Sequence, residues 1–195
     1  MKHTMHPAFS SPIYSSFMDV STKPSWSTVK FHNYGEHDTT DTNTLLERPE
    51  WSEIKNQINE HVNNYFFNVL KMSPGPELYI NISWASRSGY KQYHHMHTHP
   101  NSLISGTVYF DDQEYAIVFH KSLFSMIECD TEEFNIFNCG QLKILPRKGE
   151  ILLWPSHLQH FTETVTNPRH TRYSLSFNVW IKGIISKTHT AGLNI

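Results

Sequence analysis

The eight residues Arg172-Tyr173-Ser174-Leu175-Ser176-Phe177-Asn178-Val179 alternate apolar and polar without a break. On an extended chain successive side chains point to opposite faces. Tyr173, Leu175, Phe177 and Val179 therefore share one face, and Arg172, Ser174, Ser176 and Asn178 share the other. Such a strand is either the half-exposed edge of a sheet or a strand covered on both sides, with a core on one side and a cavity on the other. In a cavity, Arg172 supplies a planar fork suited to a carboxylate and Ser174 adds a hydroxyl donor.

Outward from this segment the chain keeps the same character. Short β-rich runs fall at 104–110, 115–119, 134–137, 141–145, 151–154 and 161–165, divided by turn signals such as Asp111-Asp112, Lys148-Gly149 and Asn167-Pro168. Leu78, Ile80, Ile82 and Trp84 alternate with Tyr79, Asn81 and Ser83, which predicts one more half-buried strand. Seven or eight short strands predict a sandwich or jelly roll. Before them, Trp51, Ile54, Ile58, Val62, Tyr65, Phe66 and Val69 recur at helical steps. Pro49 suits a first helical position, and Ser73-Pro74-Gly75-Pro76 ends the run. The expected organisation is a single domain over 1–195. An extended N-terminal segment occupies 1–45, a packing helix 46–75, the β core 76–182, and a lightly docked tail 183–195.

Composition narrows the function classes. Of 195 residues 38% are hydrophobic and only 17% charged, a globular balance. The net charge of −2 gives no basic field for nucleic acid or an anionic membrane. No apolar run reaches the ~20 residues of a membrane span, and no signal peptide is visible, so a cytoplasmic protein is expected. Cys129 and Cys139 lack metal-binding spacing and read as reduced thiols.

The exception to this ordinary composition is histidine, with fourteen copies, four of them at His94, His95, His97 and His99. On an extended chain His95, His97 and His99 would face the same way, and imidazoles so spaced can reach one divalent cation. Pro100 closes the run, leaving the site at a strand end. A rigid site also needs a ligand from a distant strand. Gly149-Glu150-Ile151-Leu152-Leu153-Trp154-Pro155-Ser156-His157-Leu158-Gln159-His160 offers two candidates, His157 and His160, between which spacing does not choose.

Taken in order, His97-Thr98-His99-Pro100-Asn101-Ser102, the run Ile104-Ser105-Gly106-Thr107-Val108-Tyr109, the segment from Gly149 to His160, and Arg172 to Asn178 resemble the Fe(II)/2-oxoglutarate oxygenase superfamily. More closely, they resemble a group of such oxygenases found in marine phages and bacteria. The resemblance covers roughly residues 45–182 and implies a mainly β, double-stranded β-helix (cupin-like jelly roll) with Fe(II) as cofactor and 2-oxoglutarate as co-substrate. It assigns the C-terminal iron ligand to His160 rather than His157. It assigns the co-substrate's 5-carboxylate to Arg172, with Ser174 as helper and Tyr109 as a further contact. The superfamily's N-terminal motif is His-x-Asp/Glu, whereas here His97-Thr98-His99 has histidine at the carboxylate position. The implied ligands are His97, His99 and His160, with His95, Asn101 or water as alternatives for the third place. The implied reaction is hydroxylation of an unidentified substrate, whose pocket the N-terminal 45 residues and the 111–138 insertion would shape. Two other readings use the same histidines: a cupin-like metalloenzyme without 2-oxoglutarate, and a metal-binding jelly-roll module without catalysis.

Overall fold

Covering both faces of the alternating segment requires a layer on each side of its sheet, and the chain supplies a helix for one and a second sheet for the other. The structure, a computed structural model, describes residues 4, 10–121, 130–135, 137–186 and 192–195. Its elements in chain order are β1 (Tyr14–Phe17), β2 (Phe31–Asn33), β3 (Asp38–Thr40), α1 (Ser52–Asn63), β4 (Pro76–Ser88), β5 (Ile104–Val108), β6 (Ile117–His120), β7 (Gln141–Ile144), β8 (Glu150–Pro155), β9 (Gln159–Thr162), β10 (Arg172–Ser186) and β11 (Leu193–Asn194). The larger sheet runs β1-β8-β5-β10-β4-β3-β2, with β11 also on β10; the smaller runs β7-β6-β9. Every pairing between these strands is antiparallel. This is the jelly roll expected from the strand pattern.

The strand that decides the fold, β10, sits centrally, hydrogen-bonded to β4 on one side and β5 on the other. Its apolar face faces the helix. Leu175, Phe177 and Val179 are fully buried in one core with Ile104 and Val108 of β5, Ile151 and Leu153 of β8, and Ile54, Ile58 and Val62 of α1. The stripe of α1 matches this surface because residues at three- and four-residue steps stack on one side of a helix. A π-helical turn at Asn64–Val69 prolongs α1 and buries Tyr65 and Phe66. The opposite face of the large sheet looks toward the small sheet across a second, smaller core of Tyr109, Ile117, Phe119, Leu152, Trp154 and Leu158. Part of that interlayer space is polar, and the candidate site lies there.

Gly106 marks the tightest point of the helix-side core. A Cβ there would lie 2.6 Å from Leu153 Cδ2 and still closer to the Phe177 ring, so glycine lets the Phe177 ring pack against β5.

Several expectations need correction. The N-terminal segment is not merely extended chain and turns: β1 pairs with β8, and the β2–β3 hairpin extends the large sheet beyond β4. These strands are three or four residues long, too short for alternation to stand out from the surrounding Ser, Thr and Asn. No strand forms at Phe134, Asn135 or Phe137, where Asn135 and Asn138 side chains tie off turns instead. Ile136 and Cys129 lie outside the described residues. Cys139 is a free thiol. The tail is anchored at its end, since β11 pairs with β10. No helix among the described residues is long and apolar enough to cross a membrane.

The Gly106→Ala variant should lose about 1–3 kcal/mol of stability through overpacking, measured by urea unfolding. A loss below about 0.5 kcal/mol, within the range of ordinary surface substitutions, would show that the Phe177 ring is not held against the strand.

Candidate metal centre

Two backbone hydrogen bonds join the histidine-rich segments. His97 N donates to His160 O at 3.0 Å and His160 N donates to His97 O at 3.1 Å, a bridge that places residues 63 positions apart side by side. Around it, Thr162 N donates to His94 O at 3.0 Å, and His99 N donates to Ser156 O at 3.0 Å. The 94–99 segment is thereby laid along β9. It is not a regular strand, however, because the chain bends at Met96. The bend overturns the expectation that His95, His97 and His99 share a face. His94, His97 and His99 turn inward, while His95 turns away and places Nδ1 2.7 Å from Glu36 Oε2.

His97, His99 and His160 each bring a ring nitrogen within 4.8 Å of those of the other two. The Nε2 atoms of His99 and His160 lie 3.2 Å apart. Neighbouring ligands bonded at about 2.1 Å to one ion stand about 3.0–3.4 Å apart, so this spacing suits a shared cation. Hydrogen bonding prepares the nitrogens. His160 Nδ1 lies 3.0 Å from Leu158 O, and His97 Nδ1 lies 2.7 Å from His95 O. A carbonyl only accepts, so each Nδ1 carries the proton and each Nε2 keeps its lone pair. Of the other candidates, Asn101 is exposed in a left-handed turn with φ 55°, and His157 faces outward beside β9. Neither joins the cluster.

Burial keeps these rings neutral, as metal ligands must be. His160 is wedged between Trp154 and Phe119, and its pKa is pushed down to about 3, mainly by burial and then by neighbouring His97. His99 falls to about 4 and His94 to about 2, both chiefly through burial, and His97 is lowered for the same reason. His94 lies between the rings of His97 and His37, stacked at 4.3 and 4.0 Å.

Beyond the histidines, the cavity is walled by the polar face of β10 and its neighbours. The register sets Arg172 opposite Ser88, Ser174 opposite Ser86 and Ser176 opposite Trp84, and all six line the cavity with Thr107, Tyr109 and Thr162. This decides between the two readings of the alternating strand: its polar side faces a cavity. Arg172 is 5% exposed, and no acidic residue among those described pairs with it. It donates to Tyr109 Oη at 3.2 Å, and its Nε has no partner. Ser86 Oγ is likewise buried without a partner. A buried, unpaired guanidinium is costly unless an anion joins it. The cavity thus offers a cation site at one end and an anion site at the other.

Sequence reasoning missed His37, Trp84, Ser86, Ser88 and the part played by Asn178. The serines were within reach: continuing the alternation of β4 past Trp84 sets Ser86 and Ser88 on the tryptophan's face. His37 carried no such signal, since only tertiary contact brings it here.

Comparisons with known proteins bear on the family and the fold. Residues 82–178 match a family described as "Putative 2OG-Fe(II) oxygenase". No curated protein matches the sequence. Among solved structures, the chain is similar to HygX from Streptomyces hygroscopicus, determined with nickel, 2-oxoglutarate and hygromycin B bound; the identity is 11%, the TM-score 0.58, and the match covers 87% of this chain and 82% of that one. It is also similar to a 2OG-Fe(II) oxygenase family oxidoreductase from Burkholderia pseudomallei (14% identity, TM-score 0.55, 78% and 72% covered). A third is the viral collagen prolyl hydroxylase of Paramecium Bursaria Chlorella virus-1 in its 2OG complex (14%, TM-score 0.51, 86% and 94% covered).

The lowered histidine pKa values set an acid dependence. Above the ordinary value of 6.5 neither the folded nor the unfolded chain protonates these rings, and their neutral burial costs nothing in protonation. Below 6.5 the unfolded chain takes up protons that the folded chain refuses, so stability falls, by about 1.4 kcal/mol per pH unit for each such proton. Urea midpoints of the metal-free protein should therefore decline steadily from about pH 6.5 to 4.5, above the carboxylate range. A flat profile over that interval would mean that the rings are protonated in place.

Proposed function

This chain belongs to the 2OG-Fe(II) oxygenase family that matches residues 82–178, and from that premise we propose that it hydroxylates a substrate while converting 2-oxoglutarate and O2 to succinate and CO2. His97, His99 and His160 hold Fe(II). The observation that carries the reading is the pairing within one cavity of this three-nitrogen cluster with a buried Arg172 that has no acidic partner among the described residues. The cluster takes the metal-chelating end of 2-oxoglutarate, and Arg172 takes the far carboxylate. A cupin-like metalloenzyme or binding module would have no use for that arginine.

The bound Fe(II) supplies activation of O2 for attack on a C–H bond. The protein's residues do the rest. Arg172 fixes the co-substrate's orientation with its planar fork, which no acid among the described residues occupies. Tyr109 Oη, already 3.2 Å from the guanidinium, and Ser174 Oγ on the same strand face complete the carboxylate's hydrogen bonding. The Ser86 hydroxyl finds its missing partner there too. Trp154, Ile117 and Tyr109 shield the interior from water, so the charge pair acts in a low dielectric. The three imidazoles are neutral ligands, so the metal keeps its full double charge and attracts the dianionic co-substrate strongly.

The substrate approaches through an open groove lined by Tyr34, His37, Thr39, Asp41 and Asn43 from the N-terminal segment and by Trp84 from β4. The groove shares His94, His97 and His99 with the cavity, so it reaches the ligand cluster from outside.

Succinate release by the Fe(II)-loaded enzyme tests the reading. Arg172→Ala should raise KM for 2-oxoglutarate by about thirty-fold or more, the equivalent of about 2–5 kcal/mol, and His160→Ala should abolish turnover. Absence of succinate with every added substrate, or an unchanged KM in Arg172→Ala, would favour the readings without 2-oxoglutarate.

A further inference from the structure

We propose that Asn178 is a positioning residue that fixes the tautomer of His99 and so aims its Nε2 lone pair at the metal; this rests on reading His97, His99 and His160 as the iron site. The tautomers of the other two ligands are set by backbone carbonyls. His99 has none. Its Nδ1 instead lies 3.4 Å from the side-chain amide of Asn178, which is 2% exposed and sits where the β10–β4 register shifts.

The direction of a buried hydroxyl chain decides which end of that amide faces the ring. Asn178 lies 2.8 Å from Ser105 Oγ, Ser105 lies 2.9 Å from Ser156 Oγ, and Ser156 lies 2.9 Å from Ser102 Oγ. Ser105 and Ser156 are each 1% exposed, so no water breaks into the chain between Asn178 and Ser156, and only Ser102 at its end is part-exposed. It ends on two carbonyls, Ile104 O at 3.1 Å and Val179 O at 3.4 Å from Ser102 Oγ. Each hydroxyl has one proton, and carbonyls only accept. Ser102 must therefore spend its proton on a carbonyl, Ser156 must donate to Ser102, and Ser105 must donate to Ser156. Ser105 then has only lone pairs left for Asn178, so the amide must present its NH2 to Ser105 and its oxygen to His99.

As placed, the amide points the other way, with Oδ1 toward Ser105 and Nδ2 toward His99, and the single Ser105 proton is claimed by two acceptors. Rotation of the amide by half a turn removes the conflict without moving any neighbour, because nitrogen and oxygen are nearly the same size. With Oδ1 facing it, His99 Nδ1 carries the proton and donates, and Nε2 is left bare 3.2 Å from the bare His160 Nε2, a pair of lone pairs that a cation between them satisfies. All three imidazoles then present the same nitrogen. Four residues (Ser102, Ser105, Ser156 and Asn178), none of them a ligand, thus carry a constraint from backbone carbonyls to the metal centre.

The test measures Co(II) affinity by calorimetry and the His99 tautomer by long-range proton–nitrogen NMR of the Zn(II)-loaded protein, because two bare Nε2 atoms 3.2 Å apart repel unless a cation lies between them. In the wild type, NMR should show His99 protonated on Nδ1; protonation on Nε2 would overturn the proposal even if no variant folds. Asn178→Leu, which keeps the volume but accepts no hydrogen bond, should weaken Co(II) binding about 10–100-fold. Asn178→Asp, which still accepts from Nδ1, should stay within a few-fold of wild type. Equal losses in the two variants, or none in either, would reduce Asn178 to a packing residue and overturn the proposal. Wild type that binds no Co(II) would instead remove the metal-site reading and this proposal together, an outcome distinct from normal wild-type binding with unaffected variants.

Discussion

The pair of backbone hydrogen bonds between His97 and His160 is the constraint on which the site depends. It costs the chain a closed loop of more than sixty residues, but loop-closure entropy grows only slowly with length and the jelly roll closes most of that loop anyway. Once β5, β8 and β9 are in their sheets, the 94–99 segment has one place to lie, along β9. The bend at Met96 then determines which histidines turn inward. Side-chain chemistry makes the candidate metal site, but backbone pairing decides its membership.

A second feature follows from the central position of β10. One face, Leu175, Phe177 and Val179, is fully buried against helix and sheet; the other carries Arg172, Ser174 and Ser176 into the interlayer cavity. The stable face anchors the costly one. An unpaired guanidinium and an unpartnered serine hydroxyl inside a fold are destabilising taken alone. They persist because the opposite face of the same strands is held by a large apolar core. On the proposed function, the anionic co-substrate relieves that cost when it binds, so affinity arises from a site built incomplete.

Much of this was legible in the sequence. The alternation at 172–179, the stripe of α1 and the turn signals between short apolar runs gave the architecture, because periodicity reports burial directly. The chemical identities at His97, His99, His160 and Arg172 were legible through family resemblance, and the structure brings them to one cavity. What stayed hidden depended on irregularity or on distance. Nothing in Tyr93 to His99 announces a bend at Met96, so His95 looked equivalent to its neighbours. β1 to β3 were too short and too rich in hydroxyl side chains to be seen as strands. Asn178 appeared as one more polar residue on an alternating face, since its meaning comes from Ser105 and His99, which the fold brings to it.

The central claim is that one cavity holds Fe(II) on three histidines and 2-oxoglutarate between that metal and Arg172. The most direct measurement is an anaerobic titration of the Fe(II)-loaded protein with 2-oxoglutarate, followed by visible absorption. The account predicts a metal-to-ligand charge-transfer band that saturates at one co-substrate per chain, is lost in His160→Ala, and needs far more 2-oxoglutarate in Arg172→Ala. Iron binding without such a band, or a band indifferent to both substitutions, would contradict it.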